Sequence, residues 1–196
     1  PKLKPYMSLA EQLGGFAGQL TRTGPKSVTI DYDGAVAELN TRPLTSAVIA
    51  GVLSPMLQGV NIVSAPAIAR DRGIVVTEAY REISENYEST IQLQITTERY
   101  KRTVTGALFG GAPRIVEIKG VEMEAAFAAH MLYTTNDDKP GFIGALGSLL
   151  GKSELNIGTF NLGRNEDGAI ALVALDTEIS DAVLEEVRNL PFVRQA

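Results

Sequence analysis

The stretch Thr135-Asn136-Asp137-Asp138-Lys139-Pro140-Gly141 is a polar loop that runs straight into the apolar segment 142–150. Proline is favoured in the first turn of a helix, because an N–H group there would have no partner in any case. We therefore predict a helix over residues 140–152, with Pro140 at its first position and Asp138 or Lys139 near its cap. The neighbouring strands and helices are assigned outward from this junction between loop and helix.

The elements on either side of this junction follow a regular order. Strand patterns precede and follow the predicted helix, and a second helical pattern lies closer to the C-terminus. The predicted elements are a strand at 131–135, the helix at 140–152, strands at 157–164 and 169–176, a helix at 180–189 and a short strand at 192–194. This β-α-β-β-α-β order is typical of a ferredoxin-like fold, in which both helices cover one face of an antiparallel four-stranded sheet.

The region before residue 128 mixes helices and strands less regularly. Helical spacing of apolar residues predicts helices at 7–20, 41–57 and 65–72. Strands are predicted at 27–32, 35–39, 74–80, 89–97, 99–109, 114–118 and 121–125. The pair Asp33-Gly34 is predicted to form a hairpin turn between the first two of these strands. We expect an α+β protein with a mixed α/β domain over residues 1–127 and a ferredoxin-like domain over residues 128–196.

The composition of the chain argues against several functions. Its 196 residues carry a net charge of −5, so we expect no basic surface that could neutralise the phosphates of a nucleic acid. The sequence has no cysteine, and hence no thiolate nucleophile and no sulfur ligand for a metal. No apolar run approaches the roughly 20 residues that cross a bilayer. We expect a cytoplasmic protein without a metal site, a nucleic-acid partner or a membrane partner.

The start of the predicted helix is a candidate ligand site. The N–H groups of Gly141, Phe142 and Ile143 would lack partners within the helix, and such a terminus attracts a carboxylate or a phosphate. Asn156 precedes the next strand and is expected near this helix start, where its amide can donate to a carboxylate and accept from an ammonium. Asp138 could pair with the same ammonium. The alternative is that Asp138 only caps the helix and Asn156 only forms a turn, which are the commoner roles at such positions.

Four glycines also recur along this helix, at positions 141, 144, 147 and 151. An interior glycine costs a helix about 1 kcal/mol relative to alanine. Something must therefore approach this stripe closely, whether the underlying sheet, a ligand or a partner subunit. Close packing of the helix on the sheet is the interpretation that we favour from sequence.

The C-terminal part resembles an ACT domain, the small amino-acid-sensing module of biosynthetic enzymes. The resemblance runs through 136–141 (NDDKPG), the apolar helix 142–150 and Leu155-Asn156-Ile157. The family pattern is a polar loop ending in Arg or Lys, then Pro-Gly, a helix, and Val-Asn-Ile at the start of the second strand. This resemblance implies a small amino-acid effector. Because the edges of a small sheet invite pairing, we also expect a homo-oligomer.

The upstream region resembles the intervening domain of the longer D-3-phosphoglycerate dehydrogenases. The matching residues are 61–66 (NIVSAP), 69–74 (ARDRGI), Gly110-Gly111 and 114–120 (RIVEIKG). These enzymes oxidise 3-phosphoglycerate with NAD in the first step of serine synthesis. The resemblance implies that the catalytic residues and NAD belong to catalytic domains elsewhere in a parent chain, since the Gly-rich dinucleotide turn is absent here.

The beginning of the sequence and its histidine content agree with that implication. The chain begins with Pro1 rather than Met, so we expect a piece of a longer protein. Its one histidine, His130, opens a predicted strand, where a structural role is expected. We expect no catalytic residue and no cofactor in this chain.

The resemblance also implies which residues hold an effector. Serine-regulated members use a loop His, a loop Asn and an Asn before the second strand, and these positions fall on Asn136, Asp138 and Asn156. Two of the three residues differ from that pattern, so serine feedback stays open. Family members of this type are also thought to bind substrate or another anion at a basic interface of the intervening domain. Arg114 matches a basic position there, and Lys119 and Arg102 are further candidates chosen for their charge.

We therefore interpret the chain as the regulatory and oligomerisation part of a phosphoglycerate dehydrogenase. It would bind a small amino acid, with L-serine the first to consider, or an anionic substrate. One alternative is a non-catalytic, ACT-containing subunit of an iron-sulfur L-serine dehydratase, and another is a free-standing amino-acid sensor. An independent enzyme is disfavoured, because the sequence pairs no nucleophile with a histidine.

Overall fold

The computed structural model describes residues 2–21 and 23–196. The chain divides into two compact units, Pro1–Lys119 and Gly120–Ala196. Both units contain helices and strands, which confirms the α+β class. The division precedes the expected position between residues 127 and 128, because the strand at 121–126 packs within the second unit. A Cβ atom on Gly163 would lie 2.6 Å from the carbonyl oxygen of Glu122, so glycine permits this approach.

In the first unit, helices accompany a single mixed sheet. The helices are α1 (Leu3–Leu20), α2 (Arg42–Leu53) and α3 (Ala65–Asp71). The strands are β1 (Ser27–Gly34), β2 (Val75–Arg81), β3 (Ser89–Thr96), β4 (Lys101–Phe109) and β5 (Ala112–Ile118). They lie in the order β2-β1-β3-β4-β5, with β1 and β2 parallel and the other neighbours antiparallel. The predicted short helix after residue 64 and the three strands between residues 74 and 109 are confirmed.

Helices α1 and α2 pack with their backbones close together. A Cβ atom on Gly18 would lie 2.6 Å from the carbonyl oxygen of Val52, and one on Gly51 would lie 2.5 Å from the backbone nitrogen of Gly15. Any larger residue at Gly18 or Gly51 would push the helices apart. This close crossing explains why α1 carries Gly18, and also Gly14, where a Cβ atom would lie 2.4 Å from the carbonyl oxygen of Val48.

The hairpin expected at Asp33-Gly34 is wrong. Gly34 has a φ angle of 84°, and the chain continues into a 3-10 turn at Ala35–Glu38 instead of the predicted strand. Contacts with the start of β3 hold this turn, since the Ala35 N–H donates to the carbonyl of Glu88 at 3.3 Å and the Val36 N–H donates to Ser89 Oγ at 3.0 Å. The partners of β1 are β2 and β3, so no local return strand forms.

The second unit contains the predicted β-α-β-β-α-β order, which is confirmed. Its elements are β6 (Val121–Ala126), β7 (Met131–Asn136), α4 (Phe142–Lys152), β8 (Ile157–Asn165), β9 (Gly168–Leu175), α5 (Asp181–Arg188) and β10 (Val193–Gln195). The last four strands form an antiparallel sheet in the order β10-β7-β9-β8. Apolar side chains of the sheet and of both helices form its core, including Leu132, Phe142, Leu146, Leu150, Val173 and Val187.

Helix α4 begins later than predicted. Gly141 caps it with a left-handed φ of 95°, and no side chain caps it. Pro140 therefore precedes the helix rather than occupying its first position, and neither Asp138 nor Lys139 is the cap. A residue with a Cβ atom rarely adopts this conformation, so glycine at position 141 makes the sharp turn possible.

The glycine stripe of α4 does not pack on the sheet, so that interpretation is wrong. The buried face of α4 consists of Phe142, Leu146 and Leu150. A Cβ atom on Gly144, Gly147 or Gly151 would have nothing within 4 Å. The stripe is an open face of the unit, beside the half-exposed Ile143.

No helix in the described parts of the chain combines the length and the apolar character that crossing a membrane requires.

Candidate functional site

Asn136 is the most deeply buried residue of the predicted ligand loop. It ends β7, between Val193 of β10 and Ala169 of β9, and is 2% exposed. Alternate residues of a strand share a face, so Asn136 lies on the same side of the sheet as Leu132, whose side chain packs against α4. The sheet order thus places a buried amide where the chain turns towards the start of α4.

The amide of Asn136 is only partly satisfied. Its Nδ2 group donates to the carbonyl of Asp137 at 2.9 Å. Its Oδ1 atom is buried without a hydrogen-bond partner, and so is the hydroxyl of Thr134 two residues earlier on the same face. A buried acceptor without a donor costs about 1 to 3 kcal/mol. A donor that reached Oδ1 would remove that cost.

Asp137 anchors the loop to β10, a role that the sequence analysis missed. Its Oδ1 atom accepts from Arg194 Nε at 2.6 Å, and its N–H donates to the carbonyl of Phe192 at 2.8 Å. Arg194 also donates to the carbonyl of Asp167 at 2.7 Å. Asp137 and Arg194 lie 57 positions apart in the sequence, so no local pattern reveals this pair. The loop is therefore held in place before any ligand arrives.

Asp138 and the start of α4 complete this end of the unit. The Oδ2 atom of Asp138 lies 3.5 Å from Arg164, and both side chains are largely exposed. Such exposed pairs contribute little, so this carboxylate can change partners. The first intrahelical bond runs from the Ala145 N–H to the Gly141 carbonyl. The N–H groups without helical partners are thus those of residues 142–144, one position beyond the predicted 141–143.

Asn156 lies at the other end of the second unit. Its amide donates to Asp176 at 2.6 Å, directly after β9 ends, whereas Asn136 pairs with Ala169 at the start of β9. Ala169 and Asp176 are seven positions apart along this strand direction, which corresponds to about 23 Å. The expectation that Asn156 approaches the start of α4 is wrong for a single copy of the chain, because α4 runs back along the sheet before β8 begins.

Two of the three predicted anion-binding residues lie together in the first unit. The Lys119 N–H donates to the carbonyl of Thr103 at 2.9 Å, which places Lys119 beside Arg102 on neighbouring strands. Burial, together with the charge of Arg102, lowers the pKa of the Lys119 ammonium to about 8. The Arg102 guanidinium lies 4.4 Å from the centre of the Tyr100 ring, and its Nε atom is buried without a partner. The positive charges of Arg102 and Lys119 therefore make the electrostatic potential between them favourable for an anion.

Arg114 lies apart from this pair. It pairs with Ala107, five residues along β4 from Arg102, which corresponds to about 17 Å. Its guanidinium donates to the carbonyl of Pro113 at 3.2 Å. The three candidate basic residues therefore do not lie at one place, because a register shift beside Gly106 and the length of β4 separate Arg114 from Arg102 and Lys119.

His130 lies directly before β7. The carbonyl of His130 accepts from the Leu175 N–H at 2.9 Å, as expected for a residue that borders a strand. Over residues 2–21 and 23–196, no cluster of three or more His, Asp or Glu residues is arranged to hold a metal ion.

Comparison with known proteins connects these features to one family. The family model described as the D-3-phosphoglycerate dehydrogenase intervening domain matches residues 2–119, and the first compact unit ends at the same residue. D-3-phosphoglycerate dehydrogenase from Bacillus subtilis is 34% identical over 196 residues, covering 97% of this chain and 37% of the relative. That from Synechocystis is 36% identical over 200 residues, covering 100% of this chain and 36% of the relative.

A third relative shows the same partial coverage. D-3-phosphoglycerate dehydrogenase from Methanocaldococcus jannaschii is 33% identical over 196 residues, covering 98% of this chain and 37% of the relative. The chain thus spans little more than a third of the length of these relatives. Because the match to the family model covers more than half of the chain, the chain belongs to the D-3-phosphoglycerate dehydrogenase intervening-domain family.

Proposed function

We propose that this chain is the regulatory and oligomerisation part of a cytoplasmic D-3-phosphoglycerate dehydrogenase and that it binds a small amino-acid effector. In this proposal, NAD-dependent oxidation of 3-phosphoglycerate, the first step of L-serine biosynthesis, takes place on other domains of the parent chain. The effector would change that activity through the assembly. Family membership and the matches along nearly the whole chain support this assignment.

The buried, unpartnered Oδ1 atom of Asn136 is the observation that carries the proposal. An α-amino acid offers an ammonium donor for this oxygen. It also offers a carboxylate for the N–H groups at the start of α4, where the helix dipole favours negative charge by about 0.3 to 1 kcal/mol. The carboxylate of Asp138 can leave its ion pair with Arg164 and pair with the ammonium of the ligand instead. Both charges of the ligand would then have partners at one end of the unit.

A second copy of the chain would supply Asn156. Strand β8 is an edge of its sheet, and edge strands invite pairing. We propose an antiparallel β8–β8 pair whose two-fold axis passes beside Asn161, so that Ile157 of one copy lies opposite Asn165 of the other. The Asn156 residue of one copy then approaches the end of the other sheet, where Asn136 and Asp138 lie. The open glycine stripe of α4 and the exposed Ile143 support a contact beside this edge.

A mixing experiment tests this two-copy site. Calorimetry on the wild-type chain, with L-serine first among small amino acids, is expected to reveal a ligand. Asn136→Ala and Asn156→Ala are each expected to weaken its binding by about 1 to 3 kcal/mol, which is about fivefold or more. Each variant alone then has no site of wild-type affinity. When the two variants are mixed and allowed to exchange subunits, one intact site forms in each heterodimer. Random exchange restores about one quarter of the wild-type capacity.

The mixing experiment distinguishes a site built from two copies of the chain from a site built within one copy. If both residues of a site came from one copy, mixing would restore no site of wild-type affinity. A chain that stays monomeric in light scattering, or that binds no amino acid, would contradict the proposal. Asn189→Ala is the matched control, because Asn189 is an exposed amide at the end of α5 and takes no part in the proposed β8–β8 pair.

The pair Arg102 and Lys119 supports a second function, binding of an anion such as 3-phosphoglycerate or phosphate. An anion favours the charged form of Lys119, whose pKa is lowered to about 8. Binding is therefore expected to weaken as the pH rises from 7 to 9, and Lys119→Met is expected to remove this pH dependence. Calorimetric titrations with phosphate at both pH values measure the effect.

The same lysine predicts a pH dependence of stability. Its pKa is lower in the folded chain than in the unfolded chain, so between about pH 8 and the ordinary value of 10.5 the unfolded state binds more protons. The free energy of unfolding from this group therefore rises with pH across that window. Lys119→Met should flatten this rise, whereas Arg114→Met should not.

For the binding experiment, equal phosphate affinities at pH 7 and pH 9 in the wild type would argue against the anion site.

A further inference from the structure

A cavity of about 570 Å³ lies in the first unit between α2, α3 and β2, away from the residues considered so far. Small-molecule sites commonly have volumes of roughly 300 to 1,000 Å³ and combine an apolar lining with a few polar groups. This cavity has both. Its lining includes Ile49, Val76, Arg42, Arg70 and Glu78.

Part of the cavity lining is apolar and comes from Ile49, Pro66, Ala69, Ile74 and Val76. Ile49 is 4% exposed and Ala69 is 1% exposed, so helices α2 and α3 both contribute buried surface. Thr45 adds a hydroxyl that is hydrogen-bonded to the buried Tyr32 hydroxyl at 2.7 Å. An aliphatic group of a few carbons fits such a lining, because burying each CH₂ group contributes about 0.8 kcal/mol.

Two exposed arginines line the cavity. Arg42 lies in the first turn of α2, and Arg70 lies in the last turn of α3. Within residues 2–21 and 23–196, neither guanidinium has a carboxylate partner within salt-bridge distance. Two guanidinium groups beside one cavity favour a carboxylate, which they bind through paired N–H donors.

One carboxylate of the protein also lines the cavity. Glu78 projects from β2, and its Oε2 atom accepts a hydrogen bond from the Tyr80 hydroxyl. Tyr80 in turn contacts the Thr41 hydroxyl at 3.1 Å and stacks on Tyr32 with ring centres 5.7 Å apart. This network fixes Glu78, whose Oε1 atom stays available to a cationic donor.

We propose that this cavity binds a small α-amino acid with an aliphatic side chain. Its carboxylate would lie between Arg42 and Arg70, its ammonium would contact Glu78, and its side chain would pack on Ile49 and Val76. This site is separate from the effector site proposed for the second unit and does not depend on it. The chain would thus carry two amino-acid sites of different chemistry.

Nuclear magnetic resonance of the chain with labelled Ile and Val methyl groups tests the proposal, with L-leucine as the probe. Leucine is expected to shift the methyl signals of Ile49, Ile74 and Val76 in a saturable way. Arg42→Gln combined with Arg70→Gln should weaken binding at least tenfold. Arg72→Gln is the matched control, because Arg72 is an exposed arginine next to α3 that does not line the cavity.

Two further variants test where the ammonium and the side chain of the ligand bind. Glu78→Gln should weaken leucine at least fivefold and leave 4-methylpentanoate, which lacks the ammonium, unchanged. Ser46→Leu fills the cavity from α2 without changing any charge and should abolish the leucine shifts. Circular dichroism of each variant confirms folding, and Asn136→Ala should leave leucine binding at this cavity intact.

The proposal is overturned if leucine shifts none of the three methyl groups at millimolar concentration. It is also overturned if inorganic phosphate shifts them as strongly as leucine does, because the arginines would then attract any anion. Equal weakening by Arg72→Gln and by the Arg42 and Arg70 pair would likewise exclude a specific carboxylate contact.

Discussion

Replacing Leu146 with alanine is expected to lower the free energy of unfolding of the second unit by about 2 to 5 kcal/mol. Leu146 is fully buried at the centre of the core that α4, α5 and the sheet share. Truncating it removes apolar contacts and leaves a cavity in a unit of fewer than 80 residues. Small units have little stability to spare, since a compact domain is stable by only about 5 to 15 kcal/mol.

Urea denaturation measures this loss, and Gly147→Ala is its matched control on the next residue. Gly147 faces open space, so an added methyl group meets nothing and is expected to raise helix stability by up to about 1 kcal/mol. The measurements should be made at several protein concentrations, because association adds a concentration-dependent stabilisation. A Leu146→Ala loss below 1 kcal/mol, or an equal loss for Gly147→Ala, would mean that the faces of α4 are wrongly assigned.

The order of the elements in the second unit could be predicted from the sequence because each element has its own periodicity. Residues 142–150 repeat apolar side chains at helical spacing, and the flanking segments alternate or are continuously apolar, so the two patterns do not compete. A β-α-β-β-α-β order then leaves few possible sheet topologies. The observed order β10-β7-β9-β8 is the one typical of this motif.

The positions of the candidate residues were harder to predict because they depend on directions and registers. The direction of α4 alone would have placed Asn156 correctly, since a helix of 11 residues carries the chain about 16 Å back along the sheet. The separation of Arg114 from Arg102 depends on strand length and on an irregular register, which residue types do not specify.

Turn residues misled the prediction for a different reason. Asp33-Gly34 has the residue types of a hairpin, but those types only permit a positive φ angle and do not select the partner strand. The contacts of Ala35 and Val36 with β3 decided the outcome, and their partners lie more than 50 residues away. The local pattern therefore predicted the backbone bend at Gly34 correctly, but the return strand that it also predicted at 35–39 does not form.

Asn136→Leu is expected to separate ligand binding from folding. A buried amide that serves only the fold should cost stability when it is replaced. Here the Oδ1 atom has no partner, and the Asp137 carbonyl that accepts from Nδ2 also accepts from the Lys139 N–H at 2.9 Å. An apolar side chain of similar size should therefore change the free energy of unfolding by less than about 1 kcal/mol, or raise it.

Binding of the effector should respond in the opposite way. Without Oδ1, the ammonium of the ligand would be buried against an apolar side chain, at a cost of about 1 to 3 kcal/mol or more, which is about a fivefold or greater loss of affinity. Thr134→Val is the matched control, because it removes a different buried, unpartnered oxygen, the Thr134 hydroxyl, from the same face two residues further from the loop. It should leave binding within about threefold of the wild type, since the ligand contacts proposed here begin at the loop. If Asn136→Leu instead destabilised the unit by several kcal/mol and left affinity unchanged, Asn136 would be a structural residue and the effector would have to bind elsewhere.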